Sequence, residues 1–216
     1  MLYQAYQAHS DFLDPLRQFA LLAAESVAAR LNGAARPSVL GNMTAAYELI
    51  ARAKLTHARP SYGIDSVMVG NQEVGVTEEA ADVTPFGTLL HFKKDSAQEQ
   101  PRVLLVAPLS GHFATLLRAT VRTMLPEHDV YITDWHNARD VPLAAGRFGL
   151  DEYTAHLIQF LEVIGPGAHV VAICQPCVAA LAAVALMAED HHISQPATLT
   201  LMAGPIFSRK RMRWLV

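Results

Sequence analysis

The stretch "HVVAICQPCV" (169–178) decides how this chain is read. It carries the only two cysteines, Cys174 and Cys177, in a C-x-x-C spacing, with an apolar run on each side. "HVVAI" lacks polar alternation, as expected of a strand covered on both faces. The residues from 178 to 187 are almost all apolar and read as a buried helix. Cys174 therefore falls where a strand hands over to a helix. In a parallel α/β sheet that is the carboxyl edge, where sites collect. A nucleophile at the apex of a strand-turn-helix junction is a nucleophile elbow, commonly G-x-S-x-G. The register here is Ala172-Ile173-Cys174-Gln175-Pro176, with a small residue at −2 and a proline at +2 whose fixed φ suits a first helical turn.

The elements before this stretch have a regular order. A hairpin is expected where Val67, Val69, Val74 and Val76 flank Gly70-Asn71. "TLLHF" (88–92) is a strand. Then come "RVLLVAPL" (102–109), a helix over 114–124, "DVYITDW" (129–135), a helix over 151–165, the Cys174 strand, the apolar helix, and "TLTLMAG" (198–204). Strands alternating with helices imply right-handed crossovers and a mostly parallel sheet. The first 60 residues read as helical. Asp14 is expected to cap and Pro15 to open one helix, with Asn32-Gly33 as its stop, and a second helix is expected after Thr44.

Composition narrows the class. The 216 residues are 51% hydrophobic with a net charge of −3, which supports a sizeable core and gives no electrostatic case for nucleic acid. Two cysteines cannot make a secreted disulfide framework. No apolar run is long enough to span a membrane, and the start shows no signal-peptide pattern. A cytoplasmic location is expected.

The pair of cysteines allows three chemistries. As a nucleophile, Cys174 would sit at a helix N-terminus, whose partial positive charge favours an anion. The backbone N–H of Gln175 would face a developing oxyanion. A second donor is expected from the loop "APLSGHFATLL" (107–117), at Ser110 and Gly111. As a redox pair, C-Q-P-C opening a helix matches a thioredoxin-like dithiol, but two βα units precede it. A zinc site would need His169 or His191 as well, and no second C-x-x-C exists. No cofactor and no metal is expected. His112, Asp134, Trp135 and His136 end strands or loops on the same edge and are candidate pocket residues. Tyr153 and Phe160 recur at helical spacing and are expected in the core.

Three pieces carry a further resemblance: "MLYQAYQAHSDFLDPLR" (1–17), "RVLLVAPLSGHFATLLRATVRTMLPEHDVYITDWHNARDVPL" (102–143) and "HVVAICQPCVAALAAVALMAE" (169–189). With these the chain resembles the N-terminal half of the intracellular polyhydroxyalkanoate (polyhydroxybutyrate) depolymerases. The resemblance implies an α/β-hydrolase fold and cleavage of poly(3-hydroxyalkanoate) esters at cytoplasmic storage granules. It places the family's nucleophilic cysteine on Cys174 and assigns no chemistry to Cys177. It also implies an organisation into a helical segment over 1–60, an incomplete α/β-hydrolase domain over 61–206 and an atypical basic tail over 207–216. The triad order of the fold is nucleophile, acid, histidine. Asp190, His191 and His192 follow the elbow helix too closely to supply the last two. The expectation is therefore a fragment with little or no turnover. The alternatives are a non-catalytic granule-binding protein and the dithiol oxidoreductase.

Overall fold

The computed structural model describes residues 2–30, 38–52, 59–109, 113–138 and 140–206. It divides into two compact units, Met1–Ala58 and Arg59–Val216.

The first unit is a pair of packed helices, α1 (Leu2–Arg30) and α2 (Ser38–Arg52). Ala20, Ala24 and Thr44 are buried, and such small side chains let helices approach closely. Two expectations need correction. Helix α1 does not open at Asp14-Pro15 but runs through Pro15, which stands inside it. An interior proline costs about 3 kcal/mol. The preceding Gln-, Ala- and Leu-rich turns are good helix formers and carry the helix past it, while Asp14 pairs with Arg17 one turn on, 3.6 Å away. Helix α2 starts six residues before Thr44. The expected stop at Asn32-Gly33 lies outside the described residues, as do residues 207–216.

The second unit holds a seven-stranded sheet in the order β1-β2-β3-β5-β4-β6-β7. Strands β1 (Ser66–Val69) and β2 (Gln72–Val83) form the hairpin around Gly70, whose φ of +59° suits a residue without a Cβ. Strand β2 is longer than its sequence pattern suggested and carries a register shift between Ala80 and Asp82. Strand β3 (Gly87–Lys94) pairs antiparallel with β2 and with β5 (Asp129–Trp135). From there the sheet is parallel: β5 to β4 (Arg102–Val106), β4 to β6 (His169–Ile173), and β6 to β7 (Thr198–Met202).

The period of two in a strand sorts the core into two layers. Val103 and Leu105 face one side with Phe92, Val121, Leu125, Val130 and Ile132. Leu104 and Val106 face the other with Leu157, Phe160, Val170, Ala183 and Met187. Helix α3 (Arg118–Met124) covers the first face, entered through a 3-10 turn at Ala114–Leu117 in place of a continuous helix. Helices α4 (Leu150–Ile164) and α5 (Cys177–Glu189) cover the second. Glu152 reaches back to accept a hydrogen bond from the N–H of Gly149, which secures the start of α4. Tyr153 and Phe160 lie in the core.

The arrangement is a mostly parallel sheet covered by helices on both faces, and its strand order opens a crevice. From β4 the chain steps to β5 on one side, then crosses back to β6 on the other. Loops after β4 and β6 therefore diverge to opposite faces and leave a crevice between them at the carboxyl edge.

Candidate active site

Cys174 is the apex of the turn between β6 and α5. Its φ is +67°, in the left-handed region that a Cβ disfavours by about 1–2 kcal/mol. The side chain is exposed and the thiol is free. The turn is held from both ends: the Cys174 N–H donates to Met202 O at 2.7 Å, extending the β6–β7 ladder, and the Cys177 N–H donates to Cys174 O at 3.2 Å. A residue kept in a strained conformation by its surroundings is a mark of a functional turn. Here the strain projects the sulfur off the edge of the sheet.

The two cysteines have opposite environments. Cys177 is fully buried, and its thiol donates to Ala172 O at 3.2 Å. Gly204, just past β7, lies against it, and a Cβ there would collide with Cys177 Cβ and Sγ. Cys177 is thus a packed hydrogen-bond donor under the elbow. His169 starts β6 and bonds Thr198 Oγ1, whereas Cys174 follows the other end of the strand, roughly 16 Å away at strand rise. His191 and His192 lie past the far end of α5, roughly 20 Å along the helix from the elbow. His192 bonds Glu162 there.

The loop after β4 is tied down on both sides. The Ala107 N–H donates to Thr133 Oγ1 at 2.9 Å, and Trp135 Nε1–H donates to Ala107 O at 3.0 Å. Two residues on, the Leu109 N–H donates to Gln175 Oε1 at 2.9 Å. Gln175, expected only to offer its backbone N–H, also bridges the crevice with its side chain. Ser110, Gly111 and His112 come directly after this tie but lie outside the described residues. Gly87 on β3 is another residue the sequence reading missed: a Cβ there would press on the Trp135 ring.

The three residues ending β5 separate. Asp134 is buried and ion-paired with Arg59, which also contacts Glu78 and lies over the Tyr62 ring. Burial pushes the Asp134 carboxyl up from its ordinary value, and the Arg59 guanidinium pulls it back. Trp135 sits inside an aromatic group with Phe148, Tyr153 and Phe160. Neither Asp134 nor Trp135 is in the wall of the two cavities described below. His136 is. Its ring is bonded on both sides, Nδ1–H to Pro85 O at 3.1 Å and Nε2 from the Thr88 hydroxyl at 2.9 Å, a pattern that fits the neutral Nδ1–H tautomer.

A cavity of about 300 Å³ opens beside His136, lined also by Phe86, Leu109, Pro142, Leu143 and Phe148. Leu109 joins this cavity to the elbow through its bond to Gln175. A larger cavity, about 680 Å³, lies at the opposite, amino edge, with Lys94, Arg102 and Asp129 in its wall. Two of its cations serve backbone carbonyls, Lys94 donating to Leu125 O and His128 O and Arg102 to Pro166 O, while Lys93 lies 3.4 Å from Glu79. Distance from Cys174 and this structural use of its charges set it apart from the chemistry.

Among the described residues no helix is long and apolar enough to cross a membrane. No protein-family model and no curated protein matches the chain. Solved structures do. A CIB-like hydrolase of Thermoplasma acidophilum is 11% identical with a TM-score of 0.44, over 61% of this chain and 64% of that one. The naproxen esterase of Bacillus subtilis is 12% identical at 0.41, over 58% and 42%. A protein of Staphylococcus aureus described as an esterase is 12% identical at 0.42, over 78% and 53%. The chain thus spans less than two thirds of the length of each of the three hydrolase-type structures it resembles.

Proposed function

We propose that this chain carries the nucleophilic half of a cysteine-dependent ester hydrolase acting on poly(3-hydroxyalkanoate) at cytoplasmic storage granules. One observation carries the ester chemistry: Cys174 is exposed at the apex of a strained strand-turn-helix junction, at the crevice where the strand order reverses. The polyester substrate rests on the resemblance of residues 1–17, 102–143 and 169–189. In the proposed reaction the Cys174 thiolate adds to an ester carbonyl. The Gln175 N–H and the loop after Leu109 receive the oxyanion. The C–O bond to the leaving hydroxy acid breaks, its alkoxide takes a proton, and an acyl-thioester remains on Cys174. Water then releases the acid.

The first step needs only the thiolate and the oxyanion donors. It is tested by treating the chain with p-nitrophenyl butyrate and reading intact mass. The expected result is one butyryl adduct on the wild type and on Cys177→Ser, and none on Cys174→Ala. An adduct that survives Cys174→Ala with the same yield refutes the assignment. Release of 3-hydroxybutyrate from amorphous granules, lost in Cys174→Ala, would support the polyester substrate. Acylation by the small ester with no hydroxybutyryl adduct on Cys174 after incubation with amorphous granules would count against it. The dithiol alternative predicts dithiothreitol-driven insulin reduction that depends on both Cys174 and Cys177, and activity that survives Cys177→Ser counts against it.

A further inference from the structure

We propose that the 300 Å³ cavity beside the elbow is the acyl subsite of the Cys174 site, shaped for one apolar acyl arm of about ten non-hydrogen atoms. The inference rests on the reading of Cys174 as an ester nucleophile, and four observations support it. The first is position. Leu109 is a wall of the cavity and is hydrogen-bonded to the side chain of the residue following Cys174. An acyl group whose carbonyl lies at the sulfur thus has the cavity within one residue's reach.

The second is chemistry. Most of the wall is carbon, from Phe86, Leu109, Val141, Pro142, Leu143 and Phe148. His136 is its one titratable side chain, and both of its ring nitrogens are already bonded to Pro85 and Thr88. Among the described residues the cavity offers no side-chain cation for a phosphate and no anion for an amine. It favours alkyl or aryl surface, because apolar area gains by leaving water.

The third is an apolar residue out of place. Leu143 stands 98% exposed on the rim, in the 3-10 turn Leu143–Ala145. It leaves apolar surface at the mouth of the cavity for an entering acyl arm. The fourth is size. Water occupies about 30 Å³ per molecule in the liquid, so 300 Å³ accommodates roughly ten such volumes. That fits an octanoyl group or two short hydroxyacyl units.

Binding and catalysis are tested separately. In a Cys174→Ala, Trp214→Phe chain, Trp135 is the only tryptophan, and its ring lies 5.6 Å from the wall residue Phe148. Sodium octanoate is titrated against its emission, with sodium acetate as control. The expected result is a saturable change with octanoate and none with acetate. The dissociation constant should rise at least tenfold on Ala138→Phe, which fills the cavity from an exposed position, and severalfold on Leu143→Asp, which spoils the rim without touching the core. A change that does not saturate, or is indifferent to both substitutions, overturns the subsite. The butyryl adduct on Cys174 reports on the nucleophile alone, so its presence alongside absent octanoate binding removes the subsite and leaves the nucleophile standing. Octanoate binding without any adduct does the reverse.

Discussion

The side-chain oxygen of Gln175 accepts a hydrogen bond from the backbone N–H of Leu109 at 2.9 Å, across the crevice between the loops after β4 and β6. It ties the residue after Cys174 to the stalk of the loop that is proposed to complete the oxyanion site. Replacing Gln175 by Leu keeps the bulk and removes the acceptor. The bond contributes about 1 kcal/mol, so the fold should survive with a small loss of melting temperature. Acylation of Cys174 by p-nitrophenyl butyrate should slow by ten- to a hundredfold, since a misplaced donor acts on the barrier directly. A rate within twofold of wild type would show that the tie has no role in positioning.

Strain at Cys174 predicts an inverse relation between stability and reactivity. Glycine adopts φ of +67° freely, whereas a β-branched residue resists it strongly. Cys174→Gly should therefore be more stable than wild type by about 1 kcal/mol, and Cys174→Val less stable than either. Both variants should be unreactive toward the ester. Thermal unfolding followed by circular dichroism gives the ranking, and equal melting temperatures would place the strain elsewhere.

Gly204 should tolerate no side chain. Its added Cβ would meet Cys177, which is fully buried beneath the elbow. Overpacking of this kind costs about 1–3 kcal/mol, and the displaced Cys177 would disturb the base of the Cys174 turn. Gly204→Ala is expected to lower both the midpoint of urea unfolding and the Cys174 acylation rate. Gly70→Ala offers a contrast in mechanism, since open space surrounds its added Cβ and only its φ of +59° is strained. It should lose stability and keep its reactivity.

At the amino edge, His91 on β3 lies between Glu79 on β2, 3.0 Å from Nδ1, and Asp129 on β5, 2.7 Å from Nε2, with its ring stacked on Tyr131. Both carboxylates accept, so the arrangement fits an imidazolium. Burial works against that charge, but the Asp129 and Glu79 hydrogen bonds outweigh it and raise the His91 pKa above its ordinary 6.5. A raised folded-state pKa gives stability that is fully present below the unfolded value and is lost as pH rises through the folded one. Stability of the wild type relative to His91→Gln should thus be greatest at pH 6 and should decline as pH rises above 6.5. A difference independent of pH between 5.5 and 8.5 would rule the clasp out.

Much of this protein could be read from its residues, and the reason is periodicity. Unbroken apolar runs at 102–106 and 169–173 specify strands buried on both faces, and the Gly70-Asn71 pair specifies the hairpin between its flanking valines. Local chemistry likewise put Cys174 at a strand-helix junction. What the sequence misjudged was local signal outweighed by neighbours: Asp14-Pro15 has the form of a helix start, yet the turns before it propagate through the proline. What it left open depended on residues far apart in the chain. Asp134, Trp135 and His136 are consecutive, but Arg59 takes the first into an ion pair, Tyr153 and Phe148 pack on the second, and the third lines the 300 Å³ cavity. The separation of the two cysteines came from packing as well, because burial of Cys177 is set by Gly204 and by the Ala172 carbonyl. The chain order alone determined where a nucleophile could stand. Only the folded sheet, by bringing Leu109 to Gln175 across 66 positions, decided what stands beside it.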